Sequence, residues 1–498
     1  MTTLEALWWL LFFAALGLCI GSFLNAVIFR LPRNRSLSNP LWSFCPYCRK
    51  RIAWYDNLPV LSFLLLRGRC RQCGVPISTR YVIIEAAMAV IVLMLVDAFL
   101  IGRIRTGLSD SAFGLTDRLA ADWPLLLAHV ILFACLLPMS VIDLEHYWVD
   151  IRFTNLATLA GVALHTFWTP RHSADWLRPW DTTAAMCLSA LLAIGLFGIV
   201  LTCLTSSNNE DSEEPGCDEP VLPSADALPR PRRPPPSLAS PSRAAGWIAV
   251  LILILLLIGL WSDESGWMNL RHTGRALIPL IFFFALIVRE STVVRASDKQ
   301  IVEAIQEERH SARRMVLAEL GLLSPAVLGA WIAWLLMHHP AVAEAFHQAL
   351  RGEIRMGGSV LLRHWTPLAG AATAISGYLI AGAIGWTVRI VFTLAFGKEA
   401  FGTGDIHMMA AAGCIAGWPV VALGFFLTCG IAMLGWTATL PFKRSRAVPL
   451  GPWLSLSFLT VTVFYDPILS SRPIQQALSV FQFLFLENSH GRVMGGAG

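Results

Sequence analysis

The sequence predicts an all-α polytopic membrane protein with about 11–12 transmembrane helices and a small cytoplasmic domain between the first two. Hydrophobic residues make up 55% of the 498 residues and charged residues only 14%, which is too little charge for a surface that faces water. Apolar runs of about 20 residues, the length that crosses a bilayer, recur along the chain. Four cysteines in two pairs lie in a basic stretch after the first run. This composition excludes a soluble globular enzyme, a disordered protein and a fibrous protein.

Charged residues bound each of the predicted membrane runs. The runs cover residues 6–29, 82–101, 124–142, 153–168, 183–204, 245–261, 276–288, 317–337, 367–396, 406–418, 419–440 and 450–464. The run at 406–418 is short for a crossing, so a re-entrant segment stays an alternative there. Nothing basic precedes the first run, whereas arginines follow it, which indicates a retained anchor rather than a cleaved signal peptide.

The distribution of basic residues predicts the orientation. Residues 31–80 contain nine Lys or Arg and one acid, so the positive-inside rule places this stretch in the cytoplasm and the N-terminus outside. Basic loops of this kind account for the net charge of +5 without a nucleic-acid partner. We therefore expect membrane lipid around the protein and no nucleic acid.

Composition and the apolar runs divide the chain into seven segments. They are a first transmembrane helix at 1–30, a cytoplasmic cysteine domain at 31–81, transmembrane helices at 82–205, a linker at 206–243, inserted transmembrane helices with a cytoplasmic helix at 244–365, a transmembrane segment with a Gly-x-Gly-Asp motif at 366–466, and a C-terminal tail at 467–498. The linker contains nine prolines, an acidic first half and a basic second half. Such a composition cannot bury a core and predicts disorder.

Two Cys-x-x-Cys pairs lie in the cytoplasmic domain. Cys45 and Cys48 are separated by 21 residues from Cys70 and Cys73, a spacing that suits two turns closing one tetrahedral zinc site. Four thiolates leave no coordination position for water, so we expect a structural Zn²⁺ that fixes a domain too small to fold on its apolar core alone. A redox or disulfide pair is the competing interpretation, and the cytoplasmic placement disfavours it.

Two aspartates stand at the ends of apolar runs, where a charge is costly without a partner or a function. Asp143 ends the run 124–142, and Asp405 follows two glycines just ahead of another run. Taken alone, Asp143 is interpreted as an interfacial charge and Asp405 as a helix N-cap. Brought together in a partly dry site, two carboxylates share a proton and perform aspartic-protease chemistry, one as base and one as acid.

Further motifs lie at both ends of the chain in a fixed order. They are residues 21–32 (GSFLNAVIFRLP), the two cysteine pairs, 56–62 (DNLPVLS), 66–70 (LRGRC), 77–81 (ISTRY), Glu85, Ile142-Asp143, 398–405 (KEAFGTGD) and 449–454 (PLGPWL). Together they resemble the prepilin peptidase family, membrane-embedded aspartic proteases of the GxGD type that process type IV pilins and pseudopilins.

The resemblance implies that Asp143 and Asp405 are the catalytic dyad, which cuts a basic leader from a pilin-like precursor just after a glycine. It implies a bacterial inner-membrane location, with the active site and the zinc domain facing the cytoplasm. It also implies methyl transfer from S-adenosyl-L-methionine to the new amine, for which Gly68, Arg69 and Glu85 are the candidate cofactor-binding residues.

The chain departs from the family pattern at several positions. Asp56 stands at a usual glutamate position, Arg69 and His407 at usual lysine positions, and Val149 at a usual proline position. Residues from about 206 to 365 resemble an insertion between the two halves of the family core.

Two other functions stay open at this point. One is a degenerate, non-enzymatic membrane scaffold of a pilus or secretion assembly, and the other is a GxGD intramembrane protease of the presenilin or signal peptide peptidase kind. The small residues Gly377, Ala381 and Gly385 share one stripe of the run before Asp405, which predicts close helix packing. We expect this seam to hold the helix of Asp143 against that of Asp405.

Overall fold

The computed structural model describes most of the two ends of the chain. The described residues are 3–33, 35–101, 108, 114–146, 149–168, 181–208, 312–351, 354–356, 359–362, 367–397, 399, 401–439, 449–469, 471–472 and 474–476. The predicted runs 245–261 and 276–288 lie outside them, as does the predicted linker from residue 209 onward.

The described residues are almost entirely helical. The helices are α1 (Thr3–Arg30), α2 (Leu61–Leu65), α3 (Arg80–Val96), α4 (Leu115–His146), α5 (Ile151–Phe167), α6 (Asp181–Asn208), α7 (Ala312–Met337), α8 (Pro340–Arg351), α9 (Pro367–Phe396), α10 (Thr403–Ala416), α11 (Trp418–Thr439), α12 (Gly451–Val463) and α13 (Tyr465–Leu469). Strands β1 (Ile354–Met356) and β2 (Ser359–Leu362) form a small antiparallel hairpin that the sequence did not indicate.

Helix α3 lies at the centre of the main bundle, with every side chain from Val82 to Val96 buried. Glycines of α1 let the two helix backbones touch, because a Cβ on Gly17 or Gly21 would stand about 2.5 Å from an α3 Cα atom. Asn25 of α1 donates a hydrogen bond to the Tyr81 carbonyl of α3 at 2.9 Å. The cysteine domain is thus held between two tightly packed helices.

The other half of the main bundle surrounds α10. This helix contacts α4, α5, α9, α11 and α12, and all its residues from Met408 to Ala416 are buried. Its 14 residues rise only about 21 Å, which is less than the hydrocarbon core of a bilayer. It is therefore an inner helix of the bundle, although its first turn is more open: Thr403 is exposed and Asp405 is half-buried.

Helices α6, α7 and α8 pack beside α9 and form smaller apolar clusters of their own. Helices α6 and α7 approach closely at Gly329, where a Cβ would stand 2.8 Å from the Ser189 carbonyl oxygen. The Ser189 hydroxyl also donates to the Gly329 carbonyl at 2.8 Å. Helix α7, which belongs to the predicted insertion, is thus fixed to the rest of the protein.

The predicted fold class, an all-α polytopic membrane protein with a four-cysteine domain after the first helix, is confirmed. Six described helices are long and apolar enough to cross a membrane: Leu7–Arg33, Arg80–Ile101, Leu115–Glu145, Asp181–Thr202, Ala312–Met337 and Pro367–Phe396. Two shorter apolar helices, Trp418–Leu434 and Gly451–Val463, coincide with predicted runs. The total number of crossings stays a prediction, because part of the chain lies outside the described residues.

The predicted seam exists, but the expectation about its partner is wrong. Gly377 and Ala381 of α9 pack on Gly413 of α10, the helix that carries Asp405, and Gly385 contacts Ile406 of the same helix. The seam therefore joins α9 to α10 rather than α4 to α10. A stripe of small residues indicates close approach without identifying the neighbouring helix.

We expect Gly413→Ala to destabilise the protein by about 1–3 kcal/mol, the usual cost of overpacking. The new Cβ would stand 2.3 Å from both the Ala381 Cβ and the Gly377 carbonyl oxygen, so a backbone would have to move. Thermal unfolding in detergent measures the effect. Gly430→Ala, where nothing lies within 4 Å of the new Cβ, is the matched control. Equal thermal unfolding midpoints for the two variants would contradict close packing at this seam.

Candidate active site and metal centre

Asp143 lies in the last turn of α4 and is buried. Its Oδ2 atom accepts a hydrogen bond from the backbone N–H of Gly451, the first residue of α12, at 3.2 Å. The N-terminus of a helix carries partial positive charge and unpaired N–H groups, so it stabilises a carboxylate. A Cβ at position 451 would stand 2.8 Å from Oδ2, and glycine therefore permits this approach.

Asp405 lies in the first turn of α10, two residues after Thr403. Gly402 is the N-cap residue and makes no side-chain cap, so Asp405 is not the N-cap that it resembled in isolation. A Cβ on Gly404 would stand 2.6 Å from the Val149 Cβ, which brings the start of α10 against the residues that follow α4.

The structure brings Asp143 and Asp405 together. The negative charge of Asp143 acts on Asp405, and Met408, one turn after Asp405, lies beside Gly451 with Asp143. Of the two glycines before Asp405, Gly404 allows close approach to Val149, whereas a Cβ on Gly402 would meet only the Asp405 carboxylate, at 3.2 Å. Neither glycine has an unusual backbone conformation: Gly402 has a φ of −68°, and Gly404 is not among the glycines with positive φ. The site thus holds two adjacent carboxylates, one bonded to a helix N-terminus.

Two contacts fix the last turn of α4. The Ser140 and Ser455 hydroxyl oxygens lie 2.8 Å apart, one turn from Asp143 and Gly451, and connect α4 to α12. Arg80, which begins α3 directly after the cysteine domain, forms an ion pair with Glu145. The carboxylate pair and the cysteine domain therefore lie at the same end of the bundle.

The four predicted cysteine ligands form one cluster. The sulfur atoms of Cys45, Cys48, Cys70 and Cys73 all lie within 4.8 Å of one another, and those of Cys45 and Cys73 are 3.9 Å apart. Tetrahedral Zn–S bonds of about 2.3 Å require sulfur separations of about 3.8 Å, so the cluster fits a metal ion.

The two cysteine pairs have matching backbones. In the first turn the Cys45 carbonyl accepts a hydrogen bond from the Arg49 N–H, and in the second the Cys70 carbonyl accepts one from the Gly74 N–H. Arg49 and Gly74 both have positive φ, 57° and 67°. Equivalent turns point both pairs of sulfur atoms toward one centre, which is what a shared metal ion requires.

The thiols of this cluster differ in acidity. Burial raises the pKa of the Cys45 thiol to about 12. Burial also acts to raise the pKa of Cys70, but hydrogen bonds from the N–H groups of Cys73 and Gln72 outweigh it and lower that pKa. A metal ion must displace any remaining protons, so metal binding weakens as the pH falls.

A cavity of about 230 Å³ lies between the cysteine domain and helices α1 and α3. Its lining includes the carboxylates of Glu85 and Asp56, the polar side chains Ser22 and Asn25, and several aromatic rings. Glu85 is buried and accepts the Val60 N–H at 2.8 Å. Val60 has a φ of 60°, a strained conformation for a β-branched residue, and this hydrogen bond helps to hold it.

The predicted cofactor-binding residues are placed differently from one another. Glu85 lines the cavity, whereas Gly68 and Arg69 do not. Gly68 has a φ of 66° and packs on the Phe63 ring, which does line it. Arg69 is exposed to solvent. Among them, only Glu85 has direct access to the cavity.

Two residues of this region had no role assigned from the sequence. Gly451 appeared only as part of a motif, although a Gly-Pro pair at the start of an apolar run is a signal for a helix N-terminus. Asp56 receives three hydrogen bonds of 2.7–3.1 Å from Arg71, and both residues line the cavity.

Fold and site together define a multi-pass helical membrane protein with a four-cysteine cluster that fits a metal ion and with two adjacent carboxylates. A family model described as the bacterial peptidase A24 N-terminal domain matches residues 15–99. Several relatives carry the name prepilin leader peptidase/N-methyltransferase, among them the three that follow. The chain is 41% identical over 153 residues to the Myxococcus xanthus protein, 44% over 90 residues to that of Vibrio cholerae, and 38% over 164 residues to that of Klebsiella pneumoniae.

These alignments cover 31%, 17% and 30% of this chain and 39%, 36% and 62% of the respective relatives. The chain thus spans less than two thirds of each relative's length. No solved structure matches. The resemblance to prepilin peptidases that the motifs indicated is confirmed by these matches.

We expect Cys45→Ser to abolish stoichiometric metal binding and to make residues 31–80 sensitive to protease, because three remaining thiolates leave the coordination sphere incomplete. Elemental analysis of the purified protein gives the metal content. Cys429→Ser, the same change at an exposed cysteine outside the cluster, is the control. Unchanged metal content in the Cys45 variant would contradict the assignment of the centre.

Proposed function

We propose that this chain is a membrane-embedded aspartic endopeptidase that removes the leader of pilin-like precursors after a glycine. The observation that carries the proposal is the pairing of Asp143 with Asp405 beside the N-terminus of α12. The names of the matched relatives support the substrate class. A scaffold has no need for two adjacent carboxylates, one of them buried, since burying charge without a function is costly.

The two carboxylates act as general base and general acid in the hydrolysis of the peptide bond. The ionised one takes a proton from a water molecule as the water oxygen attacks the scissile carbonyl carbon, and the protonated one gives its proton to the carbonyl oxygen. The tetrahedral intermediate then collapses, the C–N bond breaks, and the amine nitrogen takes a proton from the dyad. The Gly451 N–H favours the charged form of Asp143, so we assign Asp143 as the base and Asp405 as the acid.

The surroundings suit a substrate with a basic leader and an apolar helix. The Arg80–Glu145 ion pair supports a dyad at the end of the bundle that carries the cysteine domain, and the positive-inside rule favours a cytoplasmic location for that end. The leader would then lie in the cytoplasm and the apolar helix in the bilayer of the bacterial inner membrane. The metal centre would hold a structural Zn²⁺, because four cysteine thiolates are its typical ligand set.

The cavity beside the metal centre supports a second activity, N-methylation of the product. When bound, S-adenosylmethionine would supply a methyl group from its sulfonium to the new amine. The Glu85 carboxylate would attract the positive charge of this cofactor, since the Asp56 carboxylate is already paired with Arg71. The aromatic lining would contact the adenine and sulfonium groups. The names of the relatives support this activity.

We expect Asp143→Asn and Asp405→Asn each to lower the rate of leader cleavage by roughly 10²–10⁴-fold or more, because each removes one half of the acid–base pair. The assay uses protein in lipid, a peptide with a basic leader, a glycine and an apolar helix, and mass spectrometry of the products. S-adenosylmethionine is present throughout.

Asp56→Asn is the control for loss of a carboxylate outside the dyad. We expect it to cleave the leader at the wild-type rate. Cleavage that survives in either dyad variant would exclude the aspartic mechanism. A wild-type protein that cleaves no such peptide would favour the scaffold.

A further inference from the structure

The segment before Asp405 is connected to the inserted part of the chain through one buried arginine. Arg389 of α9 is 1% exposed, and its guanidinium bonds three partners on two sides. On one side its Nε and Nη2 atoms donate to the two carboxylate oxygens of Glu319 at 3.1 and 3.0 Å. On the other side its Nη1 atom pairs with Glu399 and donates to the Phe401 carbonyl.

The two sides belong to different parts of the protein. Glu319 lies on α7, within the segment that the resemblance marks as an insertion. Glu399 and Phe401 immediately precede Gly402, the N-cap of the helix that carries Asp405. Arg389 thus links the inserted helix to the loop that sets the position of Asp405.

The geometry of this link is rigid. A guanidinium that binds a carboxylate through two parallel hydrogen bonds has a fixed orientation, and with Glu319 on Nε and Nη2, the Nη1 atom can point only toward the loop. The Trp386 ring lies 5.9 Å from the guanidinium carbon and covers one face. Helix α7 is itself held on α6 at Gly329 and Ser189.

A second contact joins the same two regions. Gly397 directly follows the last residue of α9 and has a φ of 67°, and a Cβ there would stand 3.4 Å from the Arg313 guanidinium of α7. The first turn of α7 therefore lies against the point where the chain leaves α9 toward Asp405. The inserted helix contacts this loop at both its beginning and, through Arg389, its end.

We propose that Glu319 is a positioning residue for Asp405, acting through Arg389 and Glu399, and that the insertion is thereby part of the catalytic apparatus. The kinetic test of this inference rests on the proposed function, whereas the test by hydrogen exchange does not. Misplacement of a catalytic group by about 1 Å can cost about 10²-fold in rate, so a loosened loop should be visible in turnover.

We expect Glu319→Gln to lower kcat about ten- to a hundred-fold with KM unchanged, because an amide holds the guanidinium less firmly while the substrate-binding surface is intact. Glu319→Asp keeps the charge and should recover part of the loss. Glu344→Gln, the same change at an exposed position on α8, is the matched control and should leave kcat at the wild-type value. The thermal midpoint of each variant is measured alongside.

A double-mutant cycle separates positioning from general damage. If Glu319 and Glu399 both act through Arg389, the kcat losses of Glu319→Gln and Glu399→Gln should be less than multiplicative when combined. Fully multiplicative losses would overturn the proposal. So would an unchanged kcat in Glu319→Gln, or a loss that the Asp variant does not reduce.

Hydrogen exchange of the backbone at residues 401–407 gives a readout that needs no substrate. The proposal predicts faster exchange there in Glu319→Gln than in wild type or Glu344→Gln, and equal exchange would overturn it. If the wild-type protein cleaves no pilin-like peptide, the proposed function fails while this measurement still decides whether Glu319 orders the loop.

Discussion

The hydrogen bond from the Gly451 N–H to the Asp143 carboxylate is the interaction on which the site depends. It places a negative charge at the N-terminus of α12, where the helix dipole favours it. The bond requires glycine at position 451, close packing of α4 on α12, and the Ser140–Ser455 contact one turn away. Helix α10 then brings Asp405 to the same point because Gly404 lets its first turn approach Val149. The proposed chemistry would thus be a consequence of how closely small residues allow three helices to meet.

The cysteine domain is small and must be stabilised by something other than a large apolar core. Its segment between α1 and α3 has little regular structure, and two equivalent turns bring four thiols within bonding distance of one metal ion. A metal ion can supply the folding free energy that so small a core lacks. Because Arg80 begins α3 and pairs with Glu145, the domain is also attached to the helix end that carries Asp143. The proposed peptidase and methyltransferase sites therefore share one end of the bundle.

Local patterns predicted much of this structure. Apolar run length predicted the helices that cross the membrane, and Cys-x-x-Cys spacing predicted the cluster, because both signals are contained in a few neighbouring residues. The partners of Asp143 and Glu319 could not be predicted in this way. Gly451 is 308 residues from Asp143 and Arg389 is 70 residues from Glu319, so only the packed fold pairs them. The stripe at Gly377 and Ala381 is a further example. The sequence indicated that a helix packs closely there, but only the structure identifies the contacting residue as Gly413.

The central claim, that Asp143 and Asp405 act together on one tetrahedral intermediate, is tested most directly by binding of an uncleavable substrate analogue. The analogue carries a hydroxyl-bearing carbon in place of the scissile carbonyl, and its partner compound has a plain methylene there. If both carboxylates contact the tetrahedral centre, the hydroxyl compound should bind about 10²-fold or more tightly than the methylene compound, and either Asp→Asn change should remove that difference. Equal affinity of the two compounds for the wild-type protein, or a preference that survives in both variants, would contradict the account.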